Sequence, residues 1–170
     1  MNKLTLKPIL FNNKYGRSHY IDILIDGITL ISIIKDIELP MARAEGHPKL
    51  AGGYGCAGVY WHTKKYFMGE EPFDIMDSPK TAILVTGDTI EYDWPLLCHI
   101  TIDDTVRWHD FEQPHRSKGT SIVPEYPGDF WDYSDFEGFV FSKKQYVDEV
   151  DRLLKTLEEF YEGYNGWYTF

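Results

Sequence analysis

The densest run of chemically competent side chains is Arg107-Trp108-His109-Asp110. After Phe111 it continues as Glu112-Gln113-Pro114-His115-Arg116. Trp131 and Tyr133 follow in an aromatic stretch. Histidine titrates near neutrality and suits proton transfer. Asp110 and Glu112 could form a carboxylate pair, if the fold brings them together. Arginine, indole, phenol and imidazole together suit an interface hot spot or a ligand pocket. The candidate binding residues are therefore Arg107, Trp108, His109, Asp110, Glu112, Gln113, His115, Arg116, Trp131 and Tyr133. No catalytic assignment follows from the spacing, and the question of an enzyme stays open. A purely structural role fits the same residues, because Glu112, Gln113 and Arg116 can satisfy backbone groups that lack ladder partners.

Other motifs carry less. Gly53-Tyr54-Gly55-Cys56-Ala57-Gly58 matches G-x-G-x-x-G. Dinucleotide binding needs a strand before that motif and a helix after it. Here Val59-Tyr60-Trp61-His62-Thr63 follows, which favours a strand, so the segment reads as a surface loop. The six histidines show no tight ligand spacing. A zinc site from Cys98 and His109 with His115 or Asp110 would need three converging ligands, so no metal and no cofactor are expected. Cys98 beside His109 resembles half of a nucleophile pair, but a sheet-centre cysteine usually serves as a small apolar filler.

Several elements must position these residues. Residues 4–11 read as a strand, with Pro8 marking an edge. Residues 19–24 and 28–34 read as strands joined at Asp26-Gly27, a dipeptide that tolerates positive φ. Residues 36–58 and 69–80 read as loops, 59–67 and 81–86 as strands. Residues 96–102 and 105–111 form a hairpin around Asp103-Asp104. With Ile102 opposite Thr105, Cys98 faces His109, and Asp110 lies on the other face. Residues 112–138 look irregular. Ser142 and Gln145 form a capping box, with Phe141 and Tyr146 as a staple. Apolar residues then recur at the 3.6 period from Tyr146 to Tyr161, and Gly163 stops the helix. Four aromatics among residues 164–170 predict a docked tail. Strands followed by one long helix give an α+β fold. The expectation is one domain over residues 1–170, with a mainly antiparallel sheet packed by a long C-terminal amphipathic helix.

Composition narrows the function classes. The chain has 170 residues, 43% of them hydrophobic and 16% aromatic, which excludes a disordered tail. Its formal charge is -10, which argues against nucleic acid as a partner. The excess is uneven. Residues 1–85 carry ten Lys/Arg against nine Asp/Glu, and residues 86–170 carry seven against eighteen. Ordinary solubility accounts for part of this. The sharper reading is a face that steers a basic protein partner, with a cation site as the remaining one, and Asp129, Asp132, Asp135 and Glu137 beside Trp131 and Tyr133 are the patch of interest. Two cysteines make no disulfide framework, and no apolar run suits a membrane span or a secretion signal. A cytoplasmic protein is expected, with oligomeric state left open.

The run also carries a resemblance. Asp93-Trp94-Pro95-Leu96, Phe111-Glu112-Gln113-Pro114-His115-Arg116 and Trp131-Asp132-Tyr133 resemble an uncharacterised family of small bacterial proteins. The likeness continues through Phe136-Glu137-Gly138-Phe139-Val140-Phe141 to Tyr146 and covers roughly residues 84–155. Those relatives carry cysteines just before the Trp-Pro pair, where this chain has Thr86, Gly87, Asp88, Thr89 and Asp93. Residues 117–130 look like an insertion. The resemblance implies homology and no mechanism. The functional expectation is a non-enzymatic protein-binding module of immunity-protein type. The alternative is a small hydrolase or ligand-binding enzyme using the region of His109, His115 and Arg116.

Overall fold

The structure is a computed structural model that describes all residues except 15, 58–62, 73–77, 87–93, 118–129 and 165–170. It is an α+β fold with two antiparallel sheets and a long C-terminal helix. The first sheet contains β1 (Leu4–Asn13), β2 (Gly16–Ile25) and β3 (Ile28–Thr29) in that order. Asp26 and Gly27 take φ of 52° and 86°, so the Asp-Gly turn forms as expected. The second sheet orders β4 (Cys56–Ala57), β5 (Thr81–Val85), β6 (Leu96–Ile102), β7 (Thr105–Glu112) and β8 (Phe139–Ser142). Among the described residues the α-helices are α1 (Leu30–Ala44), the short α2 (Lys64–Phe67) and α3 (Lys143–Tyr161).

The first correction is α1. Its isoleucines look strand-like, yet only Ile28 and Thr29 pair with β2. Thr29 then caps a helix by accepting from the Ser32 amide at 3.3 Å. Leu30, Ile34, Glu38 and Ala42 recur every four residues and form the buried line of that helix. Pro40, which suggests a loop, sits on the exposed side. A second correction falls on 59–67, where Lys64–Phe67 is a helical turn capped by Thr63 and residues 58–62 lie outside the described residues.

The C-terminal helix buries Tyr146, Val150, Leu153, Leu157 and Tyr161, five of the positions the period predicts. Burial of side chains this size is worth roughly 1.5–3 kcal/mol each. Ser142 is the N-cap residue, but its side chain makes no capping bond, so the predicted capping box does not form. Gln145 instead reaches across to β1. Its Oε1 accepts from the Leu4 amide at 3.1 Å and its Nε2 donates to the Leu4 carbonyl at 2.7 Å. Glu149 accepts from the Leu6 amide at 2.6 Å, and Arg152 donates to the Leu6 carbonyl. These three side chains take the place of a neighbouring strand along the first part of the β1 edge. The expected tail beyond Tyr164 lies outside the described residues.

The hairpin of β6 and β7 forms, but its register differs by one from the simplest reading. Ile102 pairs with Val106, so His99 and not Cys98 lies opposite His109. Asp103 donates its amide to the Thr105 carbonyl at 2.9 Å, tightening a three-residue connection. Cys98 is fully buried among apolar neighbours, which pushes its thiol far above the ordinary range. The Cys98–His109 pairing is therefore absent.

Candidate binding cleft beside a bulge

The pairing of β6 and β7 breaks once. Leu97 pairs with Glu112 and His99 with His109, so Cys98 alone faces both Asp110 and Phe111. This is a bulge, and Asp110 takes a left-handed φ of 56°, the conformation found at the first position of G1-type bulges. Strict alternation after buried Val106 and Trp108 would aim Asp110 at the core. The extra residue lets Phe111 take the inner position while Asp110 turns outward, its side chain 60% exposed. Asp110 thus joins His109 on the outer face, against the expectation that strand alternation separates them.

Lys80, one residue before β5, gathers the outer carboxylates. Its Nζ lies 2.8 Å from Glu112 Oε2 and 3.4 Å from Asp110 Oδ2. His99 Nε2 is 3.5 Å from the same Asp110 oxygen, and the His99 and His109 rings lie 5.7 Å apart. Partial burial, aided by the Lys80 ammonium, holds the His99 imidazole below its ordinary value despite Asp110. Among the described residues no three His, Cys, Asp or Glu side chains converge as a metal would need.

A cleft of about 460 Å³ opens next to this cluster. His109, Asp110, Glu112 and Gln113 line one wall, and Trp131, Tyr133, Phe130 and Glu137 line the other. Six of the ten candidate residues therefore share one cavity. The other four do not reach it. Arg107 is exposed on β7. Trp108 is fully buried, its indole donating to Tyr146 Oη at 3.1 Å, while Tyr146 donates to the Phe67 carbonyl at 2.6 Å. His115 and Arg116 form a helical turn with Pro114 and are 1% and 2% exposed. The three residues of the hydrolase alternative thus do not meet at one surface.

Two buried polar knots hold the cleft from behind, one from the C-cap residue of α1 and one from within the helix. Arg116 Nε lies 3.1 Å from Glu45 Oε2, with both side chains sealed at 1% and 4% exposure. Its guanidinium stands 4.9 Å from the Trp94 ring and 5.6 Å from the Trp131 ring, and His115 stacks on Trp94 at 5.6 Å. Trp131 Nε1 donates to Glu45 Oε2 at 3.3 Å. The second knot is Glu38. Its Oε1 accepts from Tyr54 Oη at 2.6 Å and Tyr133 Oη at 2.7 Å, and its Oε2 from the Gly52 amide at 2.7 Å. Gln113 Nε2 donates to Tyr54 Oη at 3.4 Å and Gln113 Oε1 accepts from the His115 amide at 3.0 Å. Burial raises the Glu38 carboxyl above its ordinary value, although all three donors favour the anion. Tyr54 belongs to the glycine-rich motif, which leads into strand β4 and not into a helix.

Glu38, Glu45, Tyr54, Trp94 and Lys80 are the site residues that sequence reasoning misses. Glu38 falls on the buried line of Leu30, Ile34 and Ala42, a usable signal only after residues 30–44 are read as a helix. Comparison of the chain with family models, curated proteins and solved structures returned no match. Among the described residues no helix is long and apolar enough to cross a membrane.

Proposed function

We propose that the protein is a non-enzymatic binding module that docks a basic protein partner, in the manner of toxin-neutralising immunity proteins. The observation that supports this most is the make-up of the cleft. Asp110, Glu112, Asp132 and Glu137 face Lys80 and His109 there, leaving an excess of negative charge. Phe130 at the same cleft is 43% exposed and offers an apolar contact beside the carboxylates. That pairing of a ring with carboxylates suits an arginine or lysine of a partner. The rigid backing from Glu45, Arg116 and Glu38 fixes Trp131 and Tyr133 before any partner arrives, which lowers the ordering cost of association.

A cytoplasmic setting, a bacterial origin and kinship with the small bacterial family belong to this same proposal. So does the exclusion of nucleic acid, supported by the charge of -10. The enzyme alternative retains His109 beside Asp110 and Glu112, but loses His115 and Arg116 to the interior.

The test is a salt-dependent pull-down of basic proteins encoded beside this gene. Binding should weaken steeply as salt rises, and the double variant Asp132→Asn/Glu137→Gln should slow association about tenfold with the fold intact. Unchanged binding in that variant, or no basic partner at low salt, would overturn the reading.

A further inference from the structure

The edge of β1 has two halves. Leu4 and Leu6 send their amides and carbonyls away from β2, into Gln145, Glu149 and Arg152. Pairing of β1 with β2 continues without a break from Leu4↔Ile25 to Asn13↔Gly16. Alternation therefore points the amides and carbonyls of Leu10 and Asn12, and the Pro8 carbonyl, to the same outer edge. No described residue bonds to those groups of Leu10 and Asn12. Residues 8–12 span about 17 Å of strand. Ile9, Phe11 and Tyr20 make one face of this segment apolar, and the other carries Leu10 beside Asn12, Arg17 and His19. Ile9, Leu10, Phe11 and Tyr20 are all exposed, and the Phe11 and Tyr20 rings meet edge to face at 5.4 Å. Lysine and proline are the usual guards of a free edge. Here Lys7 and Pro8 stand at its start, and no other guard occurs before Lys14.

We propose that this open edge is a strand-addition site for an extended segment of a partner protein, apolar at alternate positions and acidic at its ends. Backbone pairing supplies the affinity, and the Ile9, Phe11 and Tyr20 side chains accept the alternate apolar residues. Charge selects the ends. Residues 1–29 carry Lys3, Lys7, Lys14 and Arg17 against Asp22 and Asp26, a local surplus of positive charge in a chain of net charge -10, although Asp22 lies across from Lys7 and Arg17 is turned to the Phe160 and Glu162 carbonyls. Asp26 is already held by Asn2 and the Lys3 amide at 2.8 and 2.7 Å. Lys7 and Lys14 bracket the uncharged edge, which opposes a second copy of the same strand and favours carboxylates. The site lies apart from the acidic cleft and does not depend on its reading.

The experiment titrates the full chain with a synthetic peptide of alternating valine and threonine ending in glutamates, and with its lysine-ended counterpart. Backbone amide shifts and calorimetry follow binding. The acidic peptide should bind at least tenfold tighter than the basic one and perturb residues 8–12. Leu10→Pro removes an outward amide and leaves the β2 pairing untouched, so it should keep the melting temperature and weaken binding at least tenfold. Phe11→Ser, an exposed change, should weaken it several-fold. Binding of neither peptide, equal binding of both, full binding by a folded Leu10→Pro chain, or a dimer that Leu10→Pro dissolves would each overturn the proposal.

Discussion

Glu38 within α1 and Glu45, the residue that caps its C-terminus, sit seven residues apart, and their solutions to burial differ. Glu45 meets a full charge, the Arg116 guanidinium, roofed by Trp94 and Trp131. Glu38 meets three neutral donors, two phenols and one amide. A carboxylate facing an equally buried cation is tied to that cation, and losing either member strands the other. A carboxylate facing neutral donors can instead take up a proton, and burial raises its value accordingly. Ionic pairing therefore gives the cleft its stiff wall, and neutral donors give it a wall that responds to pH.

Breaking the ionic knot gives the largest effect. Arg116→Met leaves Glu45 buried without its cation and should cost roughly 3–5 kcal/mol in denaturant unfolding. The double change Glu45→Leu/Arg116→Met should recover much of that, short of the acceptor lost by the Trp131 indole. If the double variant is no more stable than the single one, the contrast with Glu38 disappears. Glu38→Gln should cost less, about 1–3 kcal/mol, because one acceptor oxygen becomes an amide facing a donor. It has a second signature. The folded carboxyl holds its proton to higher pH than the unfolded one. Its contribution to stability is thus fully present below the unfolded value and lost as pH rises through the raised folded value. Stability against pH should therefore slope less downward through that window in Glu38→Gln than in the parent chain. The smallest effect belongs to the partly exposed cluster around Lys80. Lys80→Met removes the contacts to Glu112 and Asp110 and should cost under about 1 kcal/mol, and less at high salt.

The range of each interaction decides how much of the molecule is legible in its sequence. The C-terminal helix shows itself because its signal is local, a period carried by its own residues. The cleft is half legible, since the run from His109 to Gln113 and the aromatics Trp131 and Tyr133 do converge there. Helix α1 is not, because Ile31, Ile33 and Ile34 favour a strand by composition and Pro40 argues against a helix. Tertiary burial of Leu30, Ile34, Glu38 and Ala42 overrides both. The outward turn of Asp110 is hidden for another reason. A one-residue bulge reverses the face of every later residue in its strand, and no residue type within the strand announces it. His115 and Arg116 look reactive because their partners, Glu45 and Trp94, are remote in sequence.

The bonds from the last helix to β1 also set an order of events during synthesis. Leu4 is 141 residues away from Gln145, and Leu6 is 143 from Glu149. A growing chain can close the β1–β2 hairpin early, yet Leu4 and Leu6 must wait in water until α3 has left the ribosome. Strand β1, made well before α3, is thus finished only after it, and a chain stalled before residue 145 presents a longer bare edge to its neighbours.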